Sequence, residues 1–123
     1  MANPVIHFEI ISADGDAARA FYGEVFGWAF NTDNPLQYGA TDTRAGGEAI
    51  KGGVSGPYPG TTDTYATFYV SVTNVESTLQ EIVQRGGQIA MPVIELPGGM
   101  KMAQFRDPFG VRVGLLQAPS AGG

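Results

Sequence analysis

Residues 5–27, VIHFEIISADGDAARAFYGEVFG, constrain the fold more than any other stretch, because the chain carries a second version of them. They read as a strand, a turn and an amphipathic helix. A weaker copy, YATFYVSVTNVESTLQEIVQRGG, occupies residues 65–87. Phe8 aligns with Phe68, Ile10 with Val70, Asp14 with Asn74 and Gly27 with Gly87, while the helix stripes fit better one residue further on. In each copy an Asx residue follows the strand, where its side chain can accept from the first orphan N–H groups of a helix. A glycine then closes the helix, where left-handed backbone is needed. A supersecondary unit repeated within 123 residues predicts a duplicated architecture.

The first strand alternates. Ile6, Phe8 and Ile10 form an apolar side; Val5, His7, Glu9 and Ile11 form the other, which carries two polar groups. Ala18, Phe21, Tyr22, Val25 and Phe26 share one helical face and are expected to pack on the apolar side. In the second copy Phe68, Val70 and Val72 should face the stripe Val75, Leu79, Ile82 and Val83, with Thr67, Tyr69 and Ser71 opposite. On this pattern Phe68 belongs to the core and Tyr69 to a ligand face, so truncating Tyr69 should cost little stability.

Three strands are predicted after each helix. In the first half they are residues 28–32, 36–43 and 48–54, with Gly46-Gly47 as a turn. In the second they are 88–95, 100–106 and 111–116. Pro92 removes a ladder donor and marks an edge strand. Asp107-Pro108-Phe109-Gly110 fits a type I turn, with Asp, Pro and Gly at their favoured positions. The order is βαβββ twice: module 1 over about 4–55, a Gly/Pro-rich linker over about 56–64, module 2 over about 65–117 and a frayed end from 118. Together they make a single domain over residues 1–123.

Twelve acidic against seven basic side chains give a net charge of −5, which disfavours nucleic acid and anionic membrane surfaces. The absence of cysteine excludes disulfides and thiolate metal sites. No apolar run approaches the roughly 20 residues of a membrane span, and Met-Ala-Asn-Pro does not open like a signal peptide. The expectation is a cytoplasmic protein.

With His7 in the first strand, Phe21-Tyr22 and Phe26-Gly27-Trp28 around the first helix, and DPFG before the last strand, the chain resembles the vicinal oxygen chelate superfamily. That superfamily includes glyoxalase I, extradiol dioxygenases, fosfomycin-resistance enzymes and bleomycin-resistance binding proteins. PVIHFEI, FYGEVFGW and DPFGVRVGLL are most similar to its small glyoxalase-like branch. The resemblance implies an α+β fold in which two βαβββ modules form curved mixed sheets around a cavity. It also implies a homodimer. The metalloenzymes of the superfamily place ligands in the first strand of each half and near the end of each half. Carried over, these positions fall on His7, Thr67, Gly114 and a residue within 48–53, where Glu48 is the one carboxylate.

That mapping weighs against a metal, because the chain has one histidine and Gly114 has no side chain. The expected cofactor is none. The alternative is a divalent ion such as Zn, Ni, Mn or Fe, held by His7 and Glu48. Glu9 lies on the same strand face as His7, so the two are candidate catalytic residues for proton transfer. Their spacing of nearly 7 Å along a strand is long for direct contact. A nucleophile elbow and a phosphate loop are both missing. Met100, Met102, Gln104 and Arg106 alternate along one later strand, and such mixed apolar and polar faces suit small-molecule pockets.

The favoured function is a metal-independent protein of the glyoxalase/bleomycin-resistance type that binds an apolar or aromatic small molecule. His7, Glu9, Thr67, Tyr69 and Met102 are its expected ligand contacts. One alternative is a divalent-metal enzyme of glyoxalase or dioxygenase kind, a lyase, isomerase or dioxygenase. Another is a structural or partner-binding module with a vestigial cavity.

Overall fold

The computed structural model describes residues 2–43 and 49–119. The chain forms β1 (Val5–Ile11), α1 (Gly15–Phe26), β2 (Phe30–Asn31), β3 (Ala40–Asp42), β4 (Lys51–Ser55), β5 (Tyr65–Ser71), α2 (Val75–Gln84), β6 (Gln88–Glu95), β7 (Lys101–Arg106) and β8 (Arg112–Gln117). This is the α+β, twice-βαβββ order expected from the repeat. The Gly46-Gly47 turn and Glu48 lie outside the described residues. By compactness the chain divides into His7–Thr67 and a second unit made of the residues up to Ile6 with those from Phe68 onward.

In the first unit the strand order is β2-β3-β4-β1. β1 and β4 run parallel, with Glu9 opposite Gly53, while β3 pairs antiparallel with both β4 and β2. Asp14 caps α1 by accepting from the Ala17 N–H, and Gly27 ends it at φ 75°. The helix is tied to β4 by Arg19, whose Nη1 donates to the Val54 carbonyl at 3.0 Å while Nη2 pairs with Asp16. Trp28 does the main packing on the helix side. Its ring lies 5.3–5.6 Å from those of Phe8, Tyr22 and Phe26. The expected burial of the α1 stripe is not what the chain achieves, for none of its residues is buried and Phe21, Val25 and Phe26 are more than half exposed. β2 and β3 are shorter than expected. The chain between them is held in turns by Asn34, which bonds the Tyr38 backbone through both its side-chain oxygen and its nitrogen.

In the second unit the order is β5-β8-β7-β6. β5 and β8 run parallel, with Tyr69 opposite Gly114; the remaining pairs are antiparallel. β6 is the edge strand that Pro92 predicts, and its register slips on either side of Met91. Asn74 caps α2 by accepting from the Ser77 N–H, and the Val75 N–H donates to Gln117 Oε1 at 2.8 Å. Val72, Val75, Leu79, Ala103 and Leu115 form the buried core, with Val70, Ile82, Val93 and Phe105 packed around it. Asp107 makes the DPFG turn as read: the Gly110 N–H donates to its carbonyl, and its Oδ1 accepts from Phe109 and Val111.

One side-chain assignment is reversed. Phe68 is 42% exposed, whereas Tyr69 is 2% exposed. Val70 and Val72 do reach the helix side, so the alternation itself is correct. What differs is depth: Tyr69 lies over the middle of its sheet face, where a glycine leaves room for it.

Candidate functional site

Each unit carries a polar network on the sheet face away from its helix. In the first unit the network is centred on Glu9, a carboxylate buried to 2% exposure in the middle of β1. A buried carboxylate must be hydrogen-bonded to be tolerated. Tyr38 and Tyr58 supply the donors, their hydroxyls reaching Glu9 Oε2 at 2.9 and 2.7 Å. Tyr38 also meets His7, whose Nε2 lies 3.0 Å from the same hydroxyl, with the two rings stacked at 6.1 Å between centroids.

His7 and Glu9 are therefore joined as the same-face reading suggests, but through Tyr38, which spans the gap that the strand spacing leaves. The proton count follows from the geometry. Where Glu9 is ionised and accepts both tyrosine protons, the Tyr38 oxygen can accept an Nε2–H from His7. The neutral imidazole then keeps its unprotonated nitrogen at Nδ1. Burial holds the His7 pKa below its ordinary value, which favours that neutral form. A carboxylate fixing the orientation of an imidazole through a hydroxyl is an arrangement able to hold or pass a proton.

In the second unit the network is centred on Gln104, which is fully buried on β7. Its Nε2 donates to the Tyr69 hydroxyl at 2.7 Å, and its Oε1 accepts from Arg112 Nη1 at 2.9 Å. Met102, two residues earlier on the same face, is 4% exposed. Thr67, the last residue of the first unit, is half-buried in β5.

Gly53 stands opposite Glu9 as Gly114 stands opposite Tyr69, so the two glycines are register counterparts, and Gly53 lies within the 48–53 span to which the resemblance carries one ligand position. Neither glycine has space for a side chain. A Cβ on Gly53 would fall inside the Tyr38 ring. A Cβ on Gly114 would stand 2.7 Å from Tyr69 Cγ and nearer still to the ring's edge. In both units a tyrosine ring lies where a ligating side chain would have to start. Among the described residues, no three His, Cys, Asp or Glu side chains are grouped to hold one ion.

Sequence reasoning missed Tyr38, Tyr58 and Arg112. A signal for the first two was present, because a glutamate in the middle of a mostly apolar strand needs donors, and tyrosines in Gly/Pro-rich loops can supply them. Gly53 and Gly114 were also readable, since glycine inside a strand often marks the close approach of another group.

The fold and these paired networks define a two-module βαβββ protein of the vicinal oxygen chelate kind. A family model described as the Glyoxalase/Bleomycin resistance protein/Dioxygenase superfamily matches residues 5–115, and the chain belongs to that family. Among similar sequences is CFP32 of Mycobacterium bovis, which carries a glyoxylase name. It is 31% identical over 116 residues, covering 89% of this chain and 44% of that one. The chain thus spans less than half the length of that relative. A glyoxylase-like domain-containing protein of Didymella fabae is 29% identical over 101 residues, 79% of each chain. Among solved structures, a Streptomyces coelicolor methylmalonyl-CoA epimerase in complex with 2-nitronate-propionyl-CoA superposes with a TM-score of 0.66 over 96% of both chains, at 14% identity. At that identity the likeness is one of fold. No helix among the described residues is long and apolar enough to cross a membrane.

Proposed function

We propose that the protein binds a small organic molecule on these polar sheet faces and does so without a resident divalent metal. The observation that carries the reading is the tyrosine ring packed over Gly114, repeated by Tyr38 over Gly53. Divalent ions of this class need three or four imidazole or carboxylate donors. Of the positions carried over from the resemblance, three hold His7, a threonine hydroxyl at Thr67 and Gly114, and the span of the fourth, 48–53, contains Gly53 as well as Glu48. In a binding protein the half-buried His7, Tyr38 and Tyr58 offer contacts on one face with Glu9 behind them, and Thr67 is half-buried too; Tyr69 and Met102, expected contacts on the other unit's face, are buried and ligand entry would have to uncover them. An apolar or aromatic molecule with one polar group suits such a set.

Purified protein dialysed against zinc or nickel should then retain well under one equivalent per chain. Stoichiometric metal that disappears in His7→Ala would overturn the reading and restore the metalloenzyme alternative. The His7–Tyr38–Glu9 chain favours a second reading, in which the same face moves a proton on its ligand. Solvent deuterium appearing in a bound carbonyl compound, and lost in Tyr38→Phe, would be its mark.

A further inference from the structure

Tyr38 lies on a loop, yet its hydroxyl meets His7 Nε2 at 3.0 Å and Glu9 Oε2 at 2.9 Å. A hydroxyl that serves two partners at once tolerates little drift, and a loop by itself does not hold a side chain that closely. The backbone beside it has to be anchored. Asn34 bonds the Tyr38 N–H and carbonyl. The next residue, Gly39, is held more tightly still. Its N–H donates to Ser55 Oγ at 2.8 Å, and its carbonyl accepts from the Val54 N–H at 2.9 Å. Ser55 is the buried last residue of β4, two positions from Gly53, over which the Tyr38 ring lies. β3 begins at Ala40. The Gly39 N–H therefore goes to a side-chain oxygen where a ladder would offer a backbone carbonyl. Ser55 thus marks the point at which the chain joins the sheet, and Tyr38 is the residue just outside it.

Arg19 of α1 packs against the same glycine. Its Nη1 donates to the Val54 carbonyl at 3.0 Å. A Cβ on Gly39 would stand 2.5 Å from Arg19 Cδ and nearer still to that carbonyl oxygen. The Arg19 side chain is 16% exposed, so its removal would open space beside Gly39 that the loop could take up. Gly39 is wedged between β4 and an arginine of the helix, and it can shift toward neither without displacing a bonded group. We propose that Ser55 and Arg19 are positioning residues, which act through Gly39 to hold the Tyr38 hydroxyl between His7 and Glu9. Their own hydrogen bonds go to Gly39, Val54 and Asp16, so any effect on His7 has to pass through the loop. The inference deepens the proton-moving reading given above and rests on it for its purpose. A displacement of about 1 Å in such a group is enough to lower a rate about a hundredfold.

The chain has one histidine, so the ring nitrogens of His7 give an unambiguous pair of nitrogen NMR signals in the full-length protein. Tyr38→Phe removes the hydroxyl and sets the size of the Nε2 shift when that partner is lost. Ser55→Ala, which deletes a single oxygen atom, should move the Nε2 signal in the same direction by at least half as much. Arg19→Ala should move it the same way by an independent route, and carries the test alone if Ser55→Ala does not fold. In the Tyr38→Phe background neither substitution should move the signal further, because the hydroxyl they hold is gone. A merely structural residue would not show that dependence. An Nε2 signal unchanged in Ser55→Ala, or moved equally with and without the Tyr38 hydroxyl, would overturn the proposal. A shift in Ser55→Ala but not in Arg19→Ala would strike Arg19 from it. Deuterium exchange into a carbonyl compound, measured on the same variants, reports separately on the proton-moving reading. Its absence in the parent would end that reading and leave the nitrogen signals to decide what Ser55 and Arg19 hold in place.

Discussion

Replacing Gly114 by alanine adds one methyl group and should be among the most damaging small changes the chain can suffer. The new Cβ would stand 2.7 Å from Tyr69 Cγ. Cγ is the root of the ring, so a turn about χ2 does not relieve the clash and the whole side chain has to leave. Its departure breaks the hydrogen bond that the buried Gln104 Nε2 donates to the Tyr69 hydroxyl. Losing a partner of a buried polar group costs about 1–3 kcal/mol. Overpacking adds about 1–3 kcal/mol, for a total of about 2–6 kcal/mol. Tyr69→Ala alone should cost about 3–5 kcal/mol as a buried aromatic truncation. The double variant is the decisive one. With the ring already gone the added methyl at position 114 has space, so Gly114→Ala should cost almost nothing in the Tyr69→Ala background. Urea denaturation of the four proteins gives the coupling energy, expected to be at least about 2 kcal/mol. A Gly114→Ala variant within about 0.5 kcal/mol of the parent, or additive effects in the double variant, would show that the ring does not occupy that space.

Two further perturbations follow from buried polar groups. Thr41 is 6% exposed and its Oγ1 has no hydrogen-bond partner, so Thr41→Val, which keeps shape and strand preference, should stabilise the protein by about 1 kcal/mol in the same denaturation assay. His7 has its folded-state pKa lowered by burial, so the unfolded chain takes up the proton first as pH falls. Stability should therefore decline below the ordinary histidine value of about 6.5. His7→Gln should flatten that part of the melting-temperature profile, and an unchanged slope in the variant would assign the decline to other groups.

The strongly periodic parts of the fold were legible. Asp14 and Asn74 cap the helices as read, and the DPFG turn and the Pro92 edge strand fall where their residue types demand. These features are decided within a few residues of backbone, so local chemistry suffices. β2 and β3 were overextended because their sequences hold few alternating residues and the turn is set by Asn34 bonds to Tyr38, a contact that propensity does not encode. The α1 stripe was read as core on periodicity alone. Periodicity identifies an apolar face and says nothing of what covers it. The error at Tyr69 and Phe68 has the same origin. Alternation assigns faces correctly, but depth depends on the residue across the ladder, and at Tyr69 that residue is Gly114. Likewise His7 and Glu9 were paired correctly by strand parity, while the bridging hydroxyl comes from a loop about thirty residues away.

The two tyrosines that cover Gly53 and Gly114 reach them by different routes. Tyr69 sits on β5, the strand paired with the one it covers, and its ring is buried. Tyr38 precedes β3 on a loop whose backbone is clipped by Asn34, and it is only half-buried. Placing a chelating side chain at position 114 means dismantling part of a sheet's packing, whereas at position 53 it means turning Tyr38 aside and giving up its bonds to Glu9 and His7. The two halves are thus unequal in what they can become. The Tyr38 half is where a redesign, or a drifting lineage, would regain a donor with the fewest changes, and the Tyr69 half is the one held to its present form.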